Sequence, residues 1–227
     1  MAFPAVATVN YSEETVGTTT HDVLLPTGIS AGDLLLLFMG IDGNPTISGM
    51  PGGWNNIMSA TTTTLRGEAW YKFAVGGESD FAYTSSARER SVNRTWRVTG
   101  AHASSAPEFS ATQPTGSATS ANFPTATPSW GAEDSLWVCF AALDGSISAT
   151  GYPTNFTDNQ FTDESGGGVD GAGVGICSQN LNAASLNPDS MTFSASSDFA
   201  IRTFVIRPAA VAADAPTLRT VATPLRW

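Results

Sequence analysis

Gly32-Asp-Leu-Leu-Leu-Leu-Phe-Met-Gly-Ile-Asp-Gly43 and Glu133-Asp-Ser-Leu-Trp-Val-Cys-Phe-Ala-Ala-Leu-Asp-Gly145 are two versions of one pattern. Each has an acidic turn, an unbroken apolar run and a closing Asp-Gly. A run this short, stopped by a strong turn signal, fits a strand covered on both faces better than a buried helix. The similarity continues outward from it. Pro51 and Trp54 stand at the same offset from Pro153 and Phe156, after polar loops of similar length. Asp80-Phe-Ala-Tyr-Thr84 resembles Ser190-Met-Thr-Phe-Ser194, and Arg94-Thr-Trp-Arg-Val98 resembles Arg202-Thr-Phe-Val-Ile206. Upstream, Leu25-Pro26 before Ser30-Ala-Gly-Asp33 parallels Thr127-Pro128 before Gly131-Ala-Glu-Asp134. The chain is therefore an internal repeat, with about five strand-like segments in the same order in each half.

Alternation of apolar and polar residues in Glu68-Ala-Trp-Tyr-Lys-Phe-Ala-Val75 supports strands, and no long amphipathic helix stands out. Neither half is large enough to cover its own apolar strands well, so the halves should share one fold. The expected architecture is all-β: a single jelly-roll-like antiparallel β-sandwich of two similar halves, each contributing strands to both sheets. The halves span about 5–100 and 123–207. The Ser/Ala/Thr/Pro-rich stretch 101–122 reads as a crossover, and 208–227 as an extended C-terminal arm. That arm, with Arg219, Leu225, Arg226 and Trp227, is either a tail without a core or a device that docks on a neighbouring subunit.

Hydrophobic residues make up 41% of the chain and six are Trp, enough for a sizeable core, so disorder of the whole is excluded. A formal charge of −10 argues against a nucleic-acid partner, which needs a basic face. The cluster Arg88, Arg90, Arg94 and Arg97, with Glu89 among them, reads as a local strand-face feature rather than a phosphate site. Met1-Ala2-Phe3-Pro4 lacks the basic start of a secretory signal, so synthesis in a cytoplasm is expected. The longest apolar run, Leu34 to Ile41, is too short to cross a bilayer as a helix, and no membrane insertion is expected. Cys139 and Cys177 sit in apolar runs and read as buried thiols.

Catalytic patterns are scarce. His21 and His102 lack metal-ligand spacing and read as surface or half-buried structural residues, and no nucleophile elbow, phosphate loop or zinc-helix motif occurs. Glu68, beside Trp70, is the one carboxylate worth weighing for glycoside hydrolysis, but no counterpart is evident, and a solvated strand face suits it better. Asp33, Asp42, Asp134 and Asp144 recur because they border strands and stabilise turns. Asp158, Asp163, Glu164 and Asp170 offer hard oxygen ligands in a Gly-rich loop, weak calcium candidates without EF-hand spacing. Trp54 with Asn55, and Tyr152 with Asn155, pair flat apolar faces with amides, as sugar binding requires, although packing explains Trp54 and Phe156 as well. No cofactor is implied.

Leu-Pro-x-Gly-Ile-x-Ala-Gly-Asp-Leu-Leu-Leu at Leu25 to Leu36, then Pro51-Gly-Gly-Trp54 and Ala69-Trp-Tyr-Lys-Phe73, resembles a β-sandwich module common in virion structural proteins of tailed bacteriophages. The resemblance covers about residues 5 to 207. It implies a non-enzymatic component of the virion, displayed as a capsid decoration or at the tail tip or fibre. It also implies contacts with other virion proteins and homo-oligomers. The alternative is a carbohydrate-binding module that recognises a host surface glycan.

Overall fold

The computed structural model describes residues 2–164 and 171–210. It is all-β. The strands are β1 (Ala5–Val23), β2 (Leu34–Asp42), β3 (Ile47–Ser48), β4 (Asn55–Thr61), β5 (Leu65–Phe73), β6 (Phe81–Thr99), β7 (Glu108–Phe109), β8 (Thr115–Asn122), β9 (Glu133–Asp144), β10 (Ala149–Gly151), β11 (Thr157–Asp163), β12 (Ala172–Ala183) and β13 (Ser190–Ile206). They form two antiparallel sheets packed face to face. The first has the order β1-β6-β2-β5-β4, with β3 also on β6. The second has the order β10-β13-β9-β12-β11, with β7 and β8 also on β13.

Each half of the sequence thus builds one whole sheet. The expectation that each half would give strands to both sheets is corrected, and among the described residues the chain passes between sheets once, between β6 and β7. The reason is local pairing: β4 and β5 form a hairpin, and β2 lies between β5 and β6, so each central strand finds its neighbours within its own half. The crossover is also shorter than expected. Residues 101–122 contain β7 and β8, both paired with β13. Thr115-Gly-Ser-Ala-Thr-Ser-Ala-Asn122 carries almost no apolar pattern because it bonds to one neighbour and buries chiefly Ala121.

The apolar runs that open the repeat are β2 and β9, and both are buried on both faces. Successive side chains of a strand point to opposite faces. Leu34, Leu36 and Phe38 therefore meet Leu136, Val138, Phe140 and Ala142 in the core between the sheets. Leu35, Leu37, Met39 and Ile41 enter a second core on the outer face of the first sheet, with Val23, Trp54 and Tyr83. Trp137, Cys139, Ala141 and Leu143 do the same on the second sheet, with Phe123, Met191 and Phe193.

What covers these outer faces is the first part of β6 and of β13. In β6 the five-residue step from Thr84 to Glu89 is matched by only two residues of β1, from Thr20 to Thr18. In β13 the step from Thr192 to Ser197 is matched by two residues of β8, from Ser120 to Ala118. Bulges of this kind bend a strand. Here the same bulge recurs at the same place in both halves and carries Tyr83 and Met191 over the outer faces. This register matches Ala82 with Ser190, two residues away from the match of Asp80 with Ser190 read from the sequence.

Between the sheets, Phe38 lies at the centre, with ring centroids 5.2 Å from Phe140, 5.6 Å from Trp96 and 6.0 Å from Phe204. Further along, only small residues fit. A Cβ on Gly40 would stand 2.7 Å from the carbonyl oxygen of Gly173, and one on Gly67 2.9 Å from the Cβ of Ala142. The clash at Gly40 is with backbone, which cannot swing aside as a flexible side chain would. Gly40→Val should therefore lower stability by roughly 1–3 kcal/mol or more, the usual cost of overpacking, whereas Gly52→Ala, with nothing within 4 Å, should leave it within about 0.5 kcal/mol. Chemical denaturation of both variants checks this.

Candidate functional site

Among the described residues, the groups that could carry chemistry are tied into the structure. His21 was expected at or near the surface, yet it is fully buried, stacked on Tyr83 with ring centroids 4.8 Å apart. Its ring nitrogens lie 2.8 Å from the hydroxyls of Ser91 and Ser85. Ser85 donates its one hydroxyl proton to the carbonyl of Ala87, so it accepts from Nε2–H of His21. Nδ1 is then the acceptor for Ser91, and the imidazole is neutral. Burial lowers the His21 pKa from 6.5 to about 4, against a smaller opposing pull from Asp22, and burial likewise raises that of Tyr83. His102, partly exposed, accepts from the backbone N–H groups of Ser104 and Ser105.

Glu68 does not sit on a solvated face. It is buried on β5, where it accepts from Asn56, Ser59 and Arg66, so its carboxylate serves the β4–β5 edge. Cys139 and Cys177 are free, buried and directly opposite each other on β9 and β12. Burial pushes the Cys139 thiol up, which keeps it protonated and unreactive.

The arginines lace the sheets together. Arg90, Arg94 and Trp96 of β6 face β11 and its end: Arg90 pairs with Glu164 at 3.1 Å, Arg94 donates to Thr162 and Gln160, and Trp96 donates to Gln160. The repeat partner of Arg94, Arg202 of β13, crosses the other way and donates to the carbonyl of Ile57 on β4, to Ser110 and to Gln113. Arg97 pairs with Asp33 at 2.6 Å. Arg90, Arg94 and Arg97 thus do not converge on one anion site, and Arg88 shares an open cleft with Arg90, Glu89 and Asp42.

The expected sugar-binding pairs are not brought together. Trp54 is only 8% exposed and packs on Phe81 in the outer core of the first sheet, and Phe156 is buried at 7%, the packing alternative for both. Tyr152 is half-buried in the outer core of the second. Asn155 has φ 67° and holds the position of Gly53, φ 88°, in equivalent turns closed by the N–H of Phe156 and of Trp54. Asn is the common non-Gly choice there, so the turn accounts for it. Asn55 is exposed and donates to the carbonyl of Gly53.

Of the calcium candidates, Asp158 and Asp163 lie near opposite ends of β11, ~16 Å apart along an extended strand. Asp158 accepts from Ser178, and Glu164 faces Arg90. Asp170 lies outside the described residues, and among those described no cluster of three or more His, Cys, Asp or Glu could hold a metal ion. Arg219, Leu225, Arg226 and Trp227 of the arm also lie outside them.

Two features remain. One is an open cleft of about 360 Å³ lined by Ser117, Asp144, Gly145, Ser146, Ile147, Ser196, Ser197 and Asp198. In it Asp198 already accepts from Thr64. The other is β1. It ends the first sheet, is 19 residues long and pairs only with β6 among the described residues. Apolar side chains stand out along it: Val9 is 42%, Tyr11 49% and Val16 71% exposed. Its other face is held down, since Thr8, Asn10 and Ser12 donate to the carbonyls of Thr27, Leu25 and Asp22. An edge of this length with exposed apolar residues is a template for pairing with another strand. Sequence reading missed it. The signal was Ala5-Val-Ala-Thr-Val-Asn-Tyr11, a plain alternation ahead of the first matched segment, Leu25-Pro26.

Comparison with protein-family models, curated proteins and solved structures finds no match for the chain.

The buried neutral His21 makes a pH prediction. Between about pH 4 and 6.5 the unfolded chain binds a proton that the folded chain refuses, so stability is greatest above pH 6.5 and falls as pH drops through that window. Thermal unfolding from pH 7.5 to 4 should show this fall. In His21→Gln the slope between pH 6.5 and 5, above the carboxylate range, should flatten.

Proposed function

We propose that the chain is a non-enzymatic structural protein of the tailed-bacteriophage virion type, displayed on capsid or tail and acting by protein–protein assembly. The observation that carries this reading is the open β1 edge with Val9, Tyr11 and Val16 exposed along it. A monomer gains nothing from an apolar edge, and natural proteins usually blunt such edges with charged residues, Pro, bulges or short strands; residues 8–12 of β1, between its register shifts and Glu13, carry none of these. This chain has one Lys, Lys72, and it is on β5. The carboxylates, histidines and arginines described above are engaged in holding strands and sheets together, which suits a rigid building block.

In sedimentation across a concentration series, the full chain should associate, and Val9→Lys/Tyr11→Lys should stay monomeric with an unchanged unfolding midpoint. A chain that is monomeric at every concentration and binds a host glycan on an array would overturn the reading in favour of carbohydrate recognition.

A further inference from the structure

We propose that Thr217-Leu-Arg-Thr-Val-Ala-Thr223 of one copy of the chain adds as an antiparallel strand to residues 8–14 of β1 in a neighbouring copy. This rests on the assembly reading and names the partner that the edge would take.

The first argument is fit. From Thr8 to Glu14, β1 keeps an unbroken register with β6, from Arg97 to Ser91, with shifts on either side. That is a straight acceptor of seven residues. Beyond Ala210, the sequence 217–223 is a seven-residue stretch between Pro216 and Pro224, rich in Thr, Val and Leu. Proline cannot donate to a ladder, so Pro216 and Pro224 mark the ends of a strand that could pair throughout its length.

The second argument is charge. The protein is strongly acidic, and residues 211–227 contain Arg219 and Arg226 against the single acid Asp214. The acceptor ends in Glu13 and Glu14. Antiparallel pairing of 217–223 with 8–14 puts Arg219 opposite Ser12 and diagonal to Glu14 on the same face, a favourable cross-strand relation. Parallel pairing would move Arg219 to Asn10, ~13 Å from Glu14 along the strand.

The third argument is where the chain leaves the described structure, and it decides between a chain's own arm and a neighbour's. The N–H of Ala209 donates to the carbonyl of Gly100, and Pro208 bridges Ala101. Gly100 in turn lies against Phe3 and Pro4, at the start of β1. To pair antiparallel with its own β1, residue 217 would have to reach Glu14, ~33 Å along the strand from Pro4. Seven residues from Ala210 extend at most ~25 Å. Measured from Pro4, a fully extended arm of the same chain falls ~8 Å short of this register, so the antiparallel pairing that all strand pairs show among the described residues favours a neighbour's arm. A neighbour's arm has no such limit. Because donor and acceptor are different surfaces, the contact is head-to-tail and propagates into a closed ring or a filament.

The test uses full-length variants. Thr220→Pro removes a ladder donor in the middle of the proposed donor strand, ten residues beyond Ala210 in sequence, and should abolish association while leaving the unfolding midpoint unchanged. Glu14→Arg and Arg219→Glu should each weaken association by roughly three- to tenfold, as expected for a reversed exposed pair. The double variant should recover it, an outcome that a purely structural role for Glu14 does not produce. Hydrogen exchange of the associated wild type should protect residues 8–14. If Thr220→Pro associates like wild type, or the charge swap gives no recovery, the arm-to-edge contact is wrong. In that case, loss of association in Val9→Lys/Tyr11→Lys would leave the assembly reading standing. A wild-type chain monomeric at every concentration overturns both.

Discussion

Burial of β2 and β9 on both faces is the constraint on which the rest of this structure depends. A strand that is apolar on both sides needs a cover on each, and two such strands back to back need three apolar layers, not the single core of a simple sandwich. The chain supplies the inner layer by packing the sheets on each other. It supplies the outer two by bending β6 and β13 through matching bulges, so that Tyr83 with Val23, and Met191 with Phe193, close over Leu37 and Cys139. The length of β6 and β13, 19 and 17 residues, follows from this double duty. One part of each strand lies in the sheet and the other covers it.

Apolar packing of this kind sets distance but not lateral position, and here the position is fixed by polar side chains at the margins. Arg94 and Arg202 occupy equivalent places in the repeat and reach across in opposite directions, each to the edge strand of the other sheet. Their guanidinium groups are partly withdrawn from water, which lowers the pKa of both, yet each retains several acceptors. Gly40 and Gly173 set the remaining coordinate, since backbone nearly touches backbone there. Sliding one sheet by a residue would leave the arginines without acceptors and drive side chains into that contact.

The repeat, the central strands and the all-β class were legible because they depend on short, strong patterns: the apolar run, Asp-Gly, and the Pro-x-x-aromatic turn. What was not legible depends on partners distant in sequence. Nothing around His21 marks it as buried, since its burial comes from Ser85 and Ser91 folding back on a bulge. Glu68 looks like any strand-face carboxylate until Asn56 and Ser59 are placed beside it. The topology misled for a related reason. A duplicated sequence says that two halves are alike, but both sharing strands and building one sheet each satisfy that likeness, and only the order of pairing separates them. Trp54 and Asn155 show the same limit at the candidate site, where one turn geometry imitates the composition of a sugar platform.

The most informative departure is where the two halves stop being alike. Both sheets need an edge beside their long strand, and in the second half that edge is broken into β7 and β8, with Ser110 turned in to accept from Arg202. In the first half it is the continuous β1, and Tyr11 lies beside Arg94, with the guanidinium 5.6 Å from its ring, while much of that ring remains in solvent. A short, interrupted edge resists pairing with other chains, whereas β1 keeps one unbroken seven-residue register from Thr8 to Glu14 that invites it. A duplicated fold would start with two equivalent edges, and a chain with both open would pair with copies of itself without direction. With one edge blunted and one kept, edge-to-edge pairing of two copies would close as a dimer, so under the assembly proposed above a propagating contact needs a second, different surface to meet β1.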